Sequence, residues 1–255
     1  MAIWMAIILG LIQGVTEFLP VSSSGHLMLG QKFLGLENDL LLFDIFLHIA
    51  TLCAVLIVFR KKIWELIQKP FCKTNYCLVI GTVITCAIVL VFKDWIDSTM
   101  TYKVLPITFL ITAIVLFAVT MLPKQKDVGE GEIKYKTGIV AGIAQGIAVI
   151  PGISRSGSTI AASLATGVKR EEAAEFAFLM SIPIIIASFL YEVVSNGSAS
   201  LSAPPLALIG GFVAAFVSGI FAIKFMLKLV KHVKLYWFSI YLTVLSVVLM
   251  FVFYL

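Results

Sequence analysis

Six stretches of this chain, near residues 40–59, 77–92, 104–122, 173–194, 204–223 and 235–255, are apolar runs of a length that suits a lipid bilayer. A helix needs about 20 mostly apolar residues to cross a hydrocarbon core about 30 Å thick. The second run is short, and would use flanking Tyr76 and Trp95 at the interfaces. Composition agrees with this reading: 60% of the residues are hydrophobic and 13% charged, against about 45–50% and about 25% in soluble domains. The chain is therefore expected to be an all-α integral membrane protein forming a single membrane domain over residues 1–255. The net charge of +5 does not indicate a nucleic-acid partner, because the basic residues lie between the apolar runs rather than in one patch. No cleavable signal is expected, since no basic segment precedes the first apolar residues. Cys53 and Cys86 fall in apolar runs and read as small buried hydrophobes. Cys72 and Cys77 lie in or beside a basic loop and support neither a zinc site nor a disulfide.

Two further apolar pieces do not fit a simple span. Residues 2–18 run into Pro20-Val21-Ser22-Ser23-Ser24-Gly25, and the next apolar piece, Leu27 to Leu36, is too short to cross. Residues 138–150 run into Pro151, and Ser158 to Gly167 is again too short. A helix, a Pro/Ser/Gly tip and a short return helix describe a re-entrant hairpin, whose irregular backbone must be buried in protein or face water. The two tips are copies. Without a gap, Gln13 falls on Gln145, Gly14 on Gly146, Ser22 on Ser154, Ser24 on Ser156 and Gly25 on Gly157, all 132 positions apart. Phe46-Leu47 falls on Phe178-Leu179 at the same offset.

The chain thus reads as two related halves, about 1–122 and about 137–255, joined by a loop at 123–136. Each half is a re-entrant hairpin plus three transmembrane helices. Three crossings per half is odd, so the second half would enter the membrane upside down, an inverted-topology repeat. Loop Lys and Arg set orientation. Arg60, Lys61, Lys62, Lys69, Lys73, Lys124, Lys126, Lys134, Lys136, Lys169, Arg170, Lys224, Lys228, Lys231 and Lys234 gather on one side, expected to be cytoplasmic. Only Lys32, Lys93 and Lys103 fall on the other, which places both termini and the mouth of the first hairpin outside. Small residues every fourth position (Ala6, Gly10, Gly14; Gly138, Gly142, Gly146) read as helix-packing stripes.

The chemistry sits in the tips. Gln13 and Glu17 share a helix face, and an ionisable residue at membrane depth should face a cavity and a partner. Glu17 reads as a metal ligand or general base, the bland reading being a helix-packing hydrogen bond. A hard cation such as Mg²⁺ or Ca²⁺ takes carboxylate and amide oxygens with water, which suits this pair. Ser22, Ser23 and Ser24 precede a short helix, where one serine is expected to cap. A serine with His26 is also the minimum for an activated hydroxyl nucleophile. Backbone N–H groups at the starts of the two return helices offer anion sites. Ser154, Ser156, Gly157 and Thr159 repeat that site, and Arg155 adds a guanidinium suited to phosphate. Asp44 and His48 read as supporting partners behind the site, a packed imidazole being an equal reading of His48. Glu171, Glu172 and Glu175 read as solvated, Glu192 as interfacial, and Asn196-Gly197-Ser198 as a turn.

On Gln13-x-x-x-Glu17, Phe18-Leu19-Pro20-Val21-Ser22-Ser23-Ser24-Gly25-His26, Phe43-Asp44 and Pro151-Gly152-Ile153-Ser154-Arg155-Ser156-Gly157-Ser158-Thr159, the chain resembles the undecaprenyl-diphosphatases of the bacitracin-resistance type along essentially its whole length. The resemblance implies hydrolysis of undecaprenyl diphosphate to the monophosphate, with a divalent cation, at the periplasmic or outer face of a bacterial cytoplasmic membrane. It carries catalytic roles onto Glu17, Ser23, His26 and Arg155. Gln13 and Glu17 are the metal positions, and Ser22, Ser24, Gly25, Ser154, Ser156, Gly157 and Thr159 line the diphosphate. The first motif position is often Glu in that family; Gln13 offers an amide oxygen instead. The expected scheme has His26 assisting attack by Ser23, with metal-bound water as the alternative nucleophile and the polyprenyl tail in an apolar groove open to lipid. Partners are membrane lipids and the lipid substrate, with room for a homodimer. The competing reading is a lipid-phosphate flippase or ion-coupled transporter built on the repeat.

Overall fold

The computed structural model describes residues 1–36, 40–121, 132–196, 204–232 and 235–254. Lys124, Lys126, Lys234, Gly197, Ser198 and most of the 123–136 loop lie outside the described residues. Twelve α-helices, numbered α1 to α12 in chain order, and one 3-10 turn at Tyr102–Val104 account for the regular structure among the described residues, with no strand. Five helical segments are long and apolar enough to cross a membrane: Lys73–Val91 (α5), Tyr102–Thr120 (the 3-10 turn and α7, Leu105–Thr120), Arg170–Tyr191 (within α10, Arg170–Asn196), Pro205–Lys231 (within α11, Pro205–His232) and Tyr236–Tyr254 (α12). A sixth candidate is a bent pair, α3 (Leu41–Val58) running into α4 (Arg60–Gln68) at 74°. The protein is a multi-pass membrane protein.

The short apolar pieces form two helix–turn–helix units, α1 (Ile3–Phe18) with α2 (Ser23–Phe33), and α8 (Tyr135–Ile147) with α9 (Arg155–Ala165). Their first helices bury one face each: Ala6, Leu9, Gly10, Gln13, Gly14 and Glu17 on α1, and Thr137, Gly138, Ala141, Gly142, Gln145 and Gly146 on α8. These faces cross between the halves, for α1 lies on α11 and α8 on α5. The glycine stripes are what the contact requires. A methyl group at Gly10 would strike the Gly211 carbonyl, at Gly14 the Ser218 hydroxyl, and at Gly142 the Gly81 backbone. Thr85 Oγ1 donates to the Gly142 carbonyl across this seam at 3.0 Å, a bond that only closely approaching helices can make. Beneath both hairpins, Phe18 meets Phe178 edge to face at 5.4 Å within a buried cluster that includes Phe59, Ile160, Ile223 and Met226.

Three boundaries differ from the sequence reading. The expected loop from Lys224 is helix, because α11 continues to His232. No Gly or Pro falls between Lys224 and His232, Ile223, Met226 and Val230 stay buried, and Lys224, Lys228 and Lys231 lie on the exposed side, where their long stems can reach water. Arg60-Lys61-Lys62 opens α4 rather than a loop, and Lys93-Asp94 opens another short helix, α6 (Lys93–Ser98). The acids expected to be merely solvated include two that bridge helices: Glu171 meets Lys231 at 2.8 Å and Glu175 meets Lys62 at 3.5 Å. All four cysteines are free, and Cys77 is buried.

Candidate active site

Both tips stop their first helix and cap their second. The residue before a proline avoids the α region, so Leu19 is extended at φ −78°, ψ 144° and α1 ends at Phe18. Ser22 then caps α2, its hydroxyl accepting from the Gly25 N–H at 3.4 Å. Ser22 is itself left-handed, φ 70°, the single such non-glycine residue among the described residues. That conformation costs on the order of 1–3 kcal/mol and is a mark of functional sites. In the second tip a Pro151-Gly152 turn takes the left-handed step at Gly152, φ 87°, closed by Ile153 N–H to Ile150 O at 3.1 Å. Ser154 then caps α9 through the Gly157 N–H at 3.0 Å. The cap hydroxyl lies 3.3 Å from the serine two residues on in both tips, Ser22 to Ser24 and Ser154 to Ser156.

The tips interlock. A methyl at Gly25 would enter the Phe109 ring and approach Gly152 Cα to 3.1 Å, and one at Gly157 would lie 3.1 Å from Pro20 Cβ. Ser156 donates to the Leu19 carbonyl at 3.0 Å. Thr112 on α7 holds the second tip, donating to Gly152 O at 3.0 Å and accepting from Ser154 N–H at 3.1 Å.

Glu17, 8% exposed, is the hub of the arrangement. Its Oε2 accepts from Ser23 Oγ at 2.5 Å and from Gln13 Nε2 at 3.1 Å, with His48 Nε2 at 3.5 Å. Its Oε1 faces Arg155 Nη1 at 3.4 Å. Four side chains on α1, α2, α3 and α9 therefore converge on one carboxylate. Ser23, Ser24, His26 and Arg155 keep part of their surface accessible, as groups that meet a ligand must.

His26 does not lie against Ser23. Its Nδ1 is 2.8 Å from the Ser22 carbonyl and its Nε2 is 2.7 Å from the Tyr241 hydroxyl. Thr159 turns its hydroxyl into its own helix, onto Arg155 O at 2.8 Å. Gly25 and Gly157 serve the contact between tips. His48 reaches Glu17 directly, while its Nδ1 lies 2.7 Å from the Asp44 carbonyl; the Asp44 carboxylate accepts from Gln31 Nε2 at 2.7 Å. Tyr241, Phe109 and Thr112 were not singled out from sequence, yet Phe109 and Tyr241 are separated by the offset that relates the tips, and that register was the available signal.

Gln13 and Glu17 are the residues that could hold a divalent cation. Gln13 Oε1 is buried with no hydrogen-bond partner among the described residues, beside the one carboxylate, and an acceptor left so costs about 1–3 kcal/mol. No three His, Cys, Asp or Glu side chains among the described residues group around a metal position. A cation on Gln13 and Glu17 would complete its shell with water and phosphate oxygens, a usual habit of Mg²⁺. Next to His26 opens an apolar groove of about 530 Å³, walled by Val15 and Leu19, by Phe225 and Leu229 of α11, and by Trp237 and Phe238 of α12.

Comparison with known proteins adds a family. Residues 6–248 match the family described as bacitracin resistance protein BacA. The chain is 44% identical to a protein of Treponema denticola named undecaprenyl-diphosphatase, over 95% of this chain and 94% of that protein. It is 43% identical to one of the same name from Carboxydothermus hydrogenoformans, over 97% and 96% of the two chains. A third, from Bacteroides fragilis, is 40% identical over 95% of each.

Proposed function

The chain belongs to the bacitracin resistance protein BacA family, and from that membership we propose that it hydrolyses undecaprenyl diphosphate to undecaprenyl phosphate and inorganic phosphate. The observation that carries the chemistry is the 2.5 Å bond from Ser23 Oγ to Glu17 Oε2. It pairs a hydroxyl with a carboxylate inside a protein interior, which is the geometry of an activated nucleophile.

Arg155 and the N–H groups at the starts of α2 and α9 hold the diphosphate. Ser23 Oγ attacks the terminal phosphorus in line, and its proton passes to Glu17. The bond from phosphorus to the bridging oxygen breaks, and its electron pair leaves with the polyprenyl phosphate. Water then attacks the phosphoserine as Glu17 returns its proton to the departing Ser23 Oγ; the water's own proton leaves on inorganic phosphate, and both residues are restored. This route assigns to Glu17 the base role that sequence reasoning gave to His26. A divalent cation held by Gln13 and Glu17 would neutralise charge on the phosphate oxygens. Phosphoryl transfer is served mainly by such positioning and charge neutralisation.

The membrane setting supports this reading. The crossed packing of α1 on α11 and α8 on α5 supports reading the halves at about 1–122 and 137–255 as an inverted repeat whose tips form re-entrant hairpins. Loop charge then puts both termini outside and opens the first tip to the periplasm or exterior. The apolar groove beside His26 receives the polyprenyl tail. The test is phosphate release by the detergent-purified protein on undecaprenyl diphosphate with no gradient present. The proposal requires inorganic phosphate and undecaprenyl phosphate in equal amounts; a flippase or transporter would release none.

A further inference from the structure

Both nitrogens of the His26 ring have partners. The Ser22 carbonyl can only accept, so Nδ1, at 2.8 Å, carries a proton. In the neutral ring Nε2 is then the acceptor, and the Tyr241 hydroxyl at 2.7 Å donates to it. The Tyr241 ring lies nearly parallel to the imidazole, centroids 5.8 Å apart at 16°. Phe109 closes another side edge-on, at 5.3 Å and 62°. Phe109 and Tyr241 stand at the offset that relates the two tips. One imidazole is thus flanked by a repeat-related aromatic pair, of which only Tyr241 bears a hydroxyl. Tyr241 also lines the apolar groove with Trp237 and Phe238, so its hydroxyl lies where the groove ends and the polar tip begins.

We infer that Tyr241 is a positioning residue for His26: the Ser22 carbonyl fixes the Nδ1–H tautomer, and the Tyr241 hydroxyl holds Nε2 on the groove side, the side on which polyprenyl phosphate departs, and away from Ser23. This rests on the phosphatase reading. When Ser23 attacks the terminal phosphorus, negative charge grows on the bridging oxygen and on the phosphate that stays with the tail. A tail seated in the groove brings that phosphate past the Tyr241–His26 pair. Tyr241 acts through His26, and its ring is only secondarily a wall for the tail.

Tyr241→Phe removes the hydroxyl while keeping the stack and the groove wall. The expected result is a kcat about tenfold lower with KM changed by less than about twofold, the scale of one hydrogen bond. Adding Tyr241→Phe to His26→Ala should cost nothing more, because the hydroxyl no longer has an imidazole to hold. The chain has three histidines, so ¹⁵N spectra of histidine-labelled protein in detergent can follow the ring. The His26 signal, identified by its loss in His26→Ala, should show Nδ1–H with a hydrogen-bonded Nε2, and the Nε2 shift should move when Tyr241→Phe removes that bond. Multiplicative losses in the double variant, a rise in KM with kcat intact, or an unchanged Nε2 shift would each overturn the inference. If the wild-type protein released no phosphate, the phosphatase reading would fail instead, and the Nε2 shift would still judge the Tyr241–His26 pair.

Discussion

The two tips have the same frame and different chemistry. Each caps its return helix with a serine whose hydroxyl accepts from a glycine N–H three residues on, at 3.4 Å in the first tip and 3.0 Å in the second. Each sets a buried glutamine four residues before the position of Glu17, with an amide oxygen that lacks a hydrogen-bond partner among the described residues. The first glutamine turns its amide nitrogen to Glu17, the second to Thr85 at 3.3 Å. The difference in ionisable and reacting groups lies at three positions. Glu17, Ser23 and His26 stand where the second tip has Val149, Arg155 and Ser158. The glycines and caps let two irregular backbones meet, and on the proposed mechanism the three exchanged side chains divide acid–base and nucleophilic work from anion binding.

If the division is real, the largest loss belongs to the first tip. Glu17→Gln and Ser23→Ala should each lower phosphate release by about 10⁴-fold, as removing a member of a nucleophile–base set does. Ser156→Ala, in the second tip, should leave the rate within about tenfold, because it loses a hydrogen bond to Leu19 O rather than a reacting group. A comparable collapse in Ser156→Ala would break the comparison. Arg155→Ala should cost about 10²–10³-fold, the scale of one charge-stabilising donor. Arg155→Lys should recover little, since an ammonium lacks the planar fork; full recovery would reduce Arg155 to a point charge.

The smallest effect concerns the frame. Gly25→Ala drives a methyl into Phe109 and toward Gly152, and should destabilise by about 1–3 kcal/mol. Gly157→Ala meets Ser154 Oγ at 3.0 Å and Pro20 Cβ at 3.1 Å, a milder clash, and should lower the unfolding temperature less. Equal shifts in thermal unfolding would show that the seam between the tips is looser than the structure has it.

Much of this frame was legible in the sequence because its signals are local. Pro20, Pro151 and the serine–glycine runs end and restart helices within a few residues, and the stripes at Gly10, Gly14, Gly138 and Gly142 announce close packing. The extension of α11 past Lys224 was hidden because lysines at helical spacing look like a loop in a hydropathy reading. The site was legible as a set of residues but not as a set of contacts. Which group lies against Ser23 is set by a contact across the turn, its hydroxyl reaching back to Glu17 while His26 faces α12. The direction of His26 depends on Tyr241, 215 residues away, and no local pattern encodes that.

The division of labour is tested most directly by where phosphate goes. Undecaprenyl diphosphate labelled in the terminal phosphate, mixed with the purified enzyme, quenched under conditions that preserve phosphate esters and mapped by peptide, should leave label on Ser23 and on no serine of the second tip. Label on Ser154, Ser156 or Ser158, or full turnover with no labelled serine at any quench time, would contradict the account.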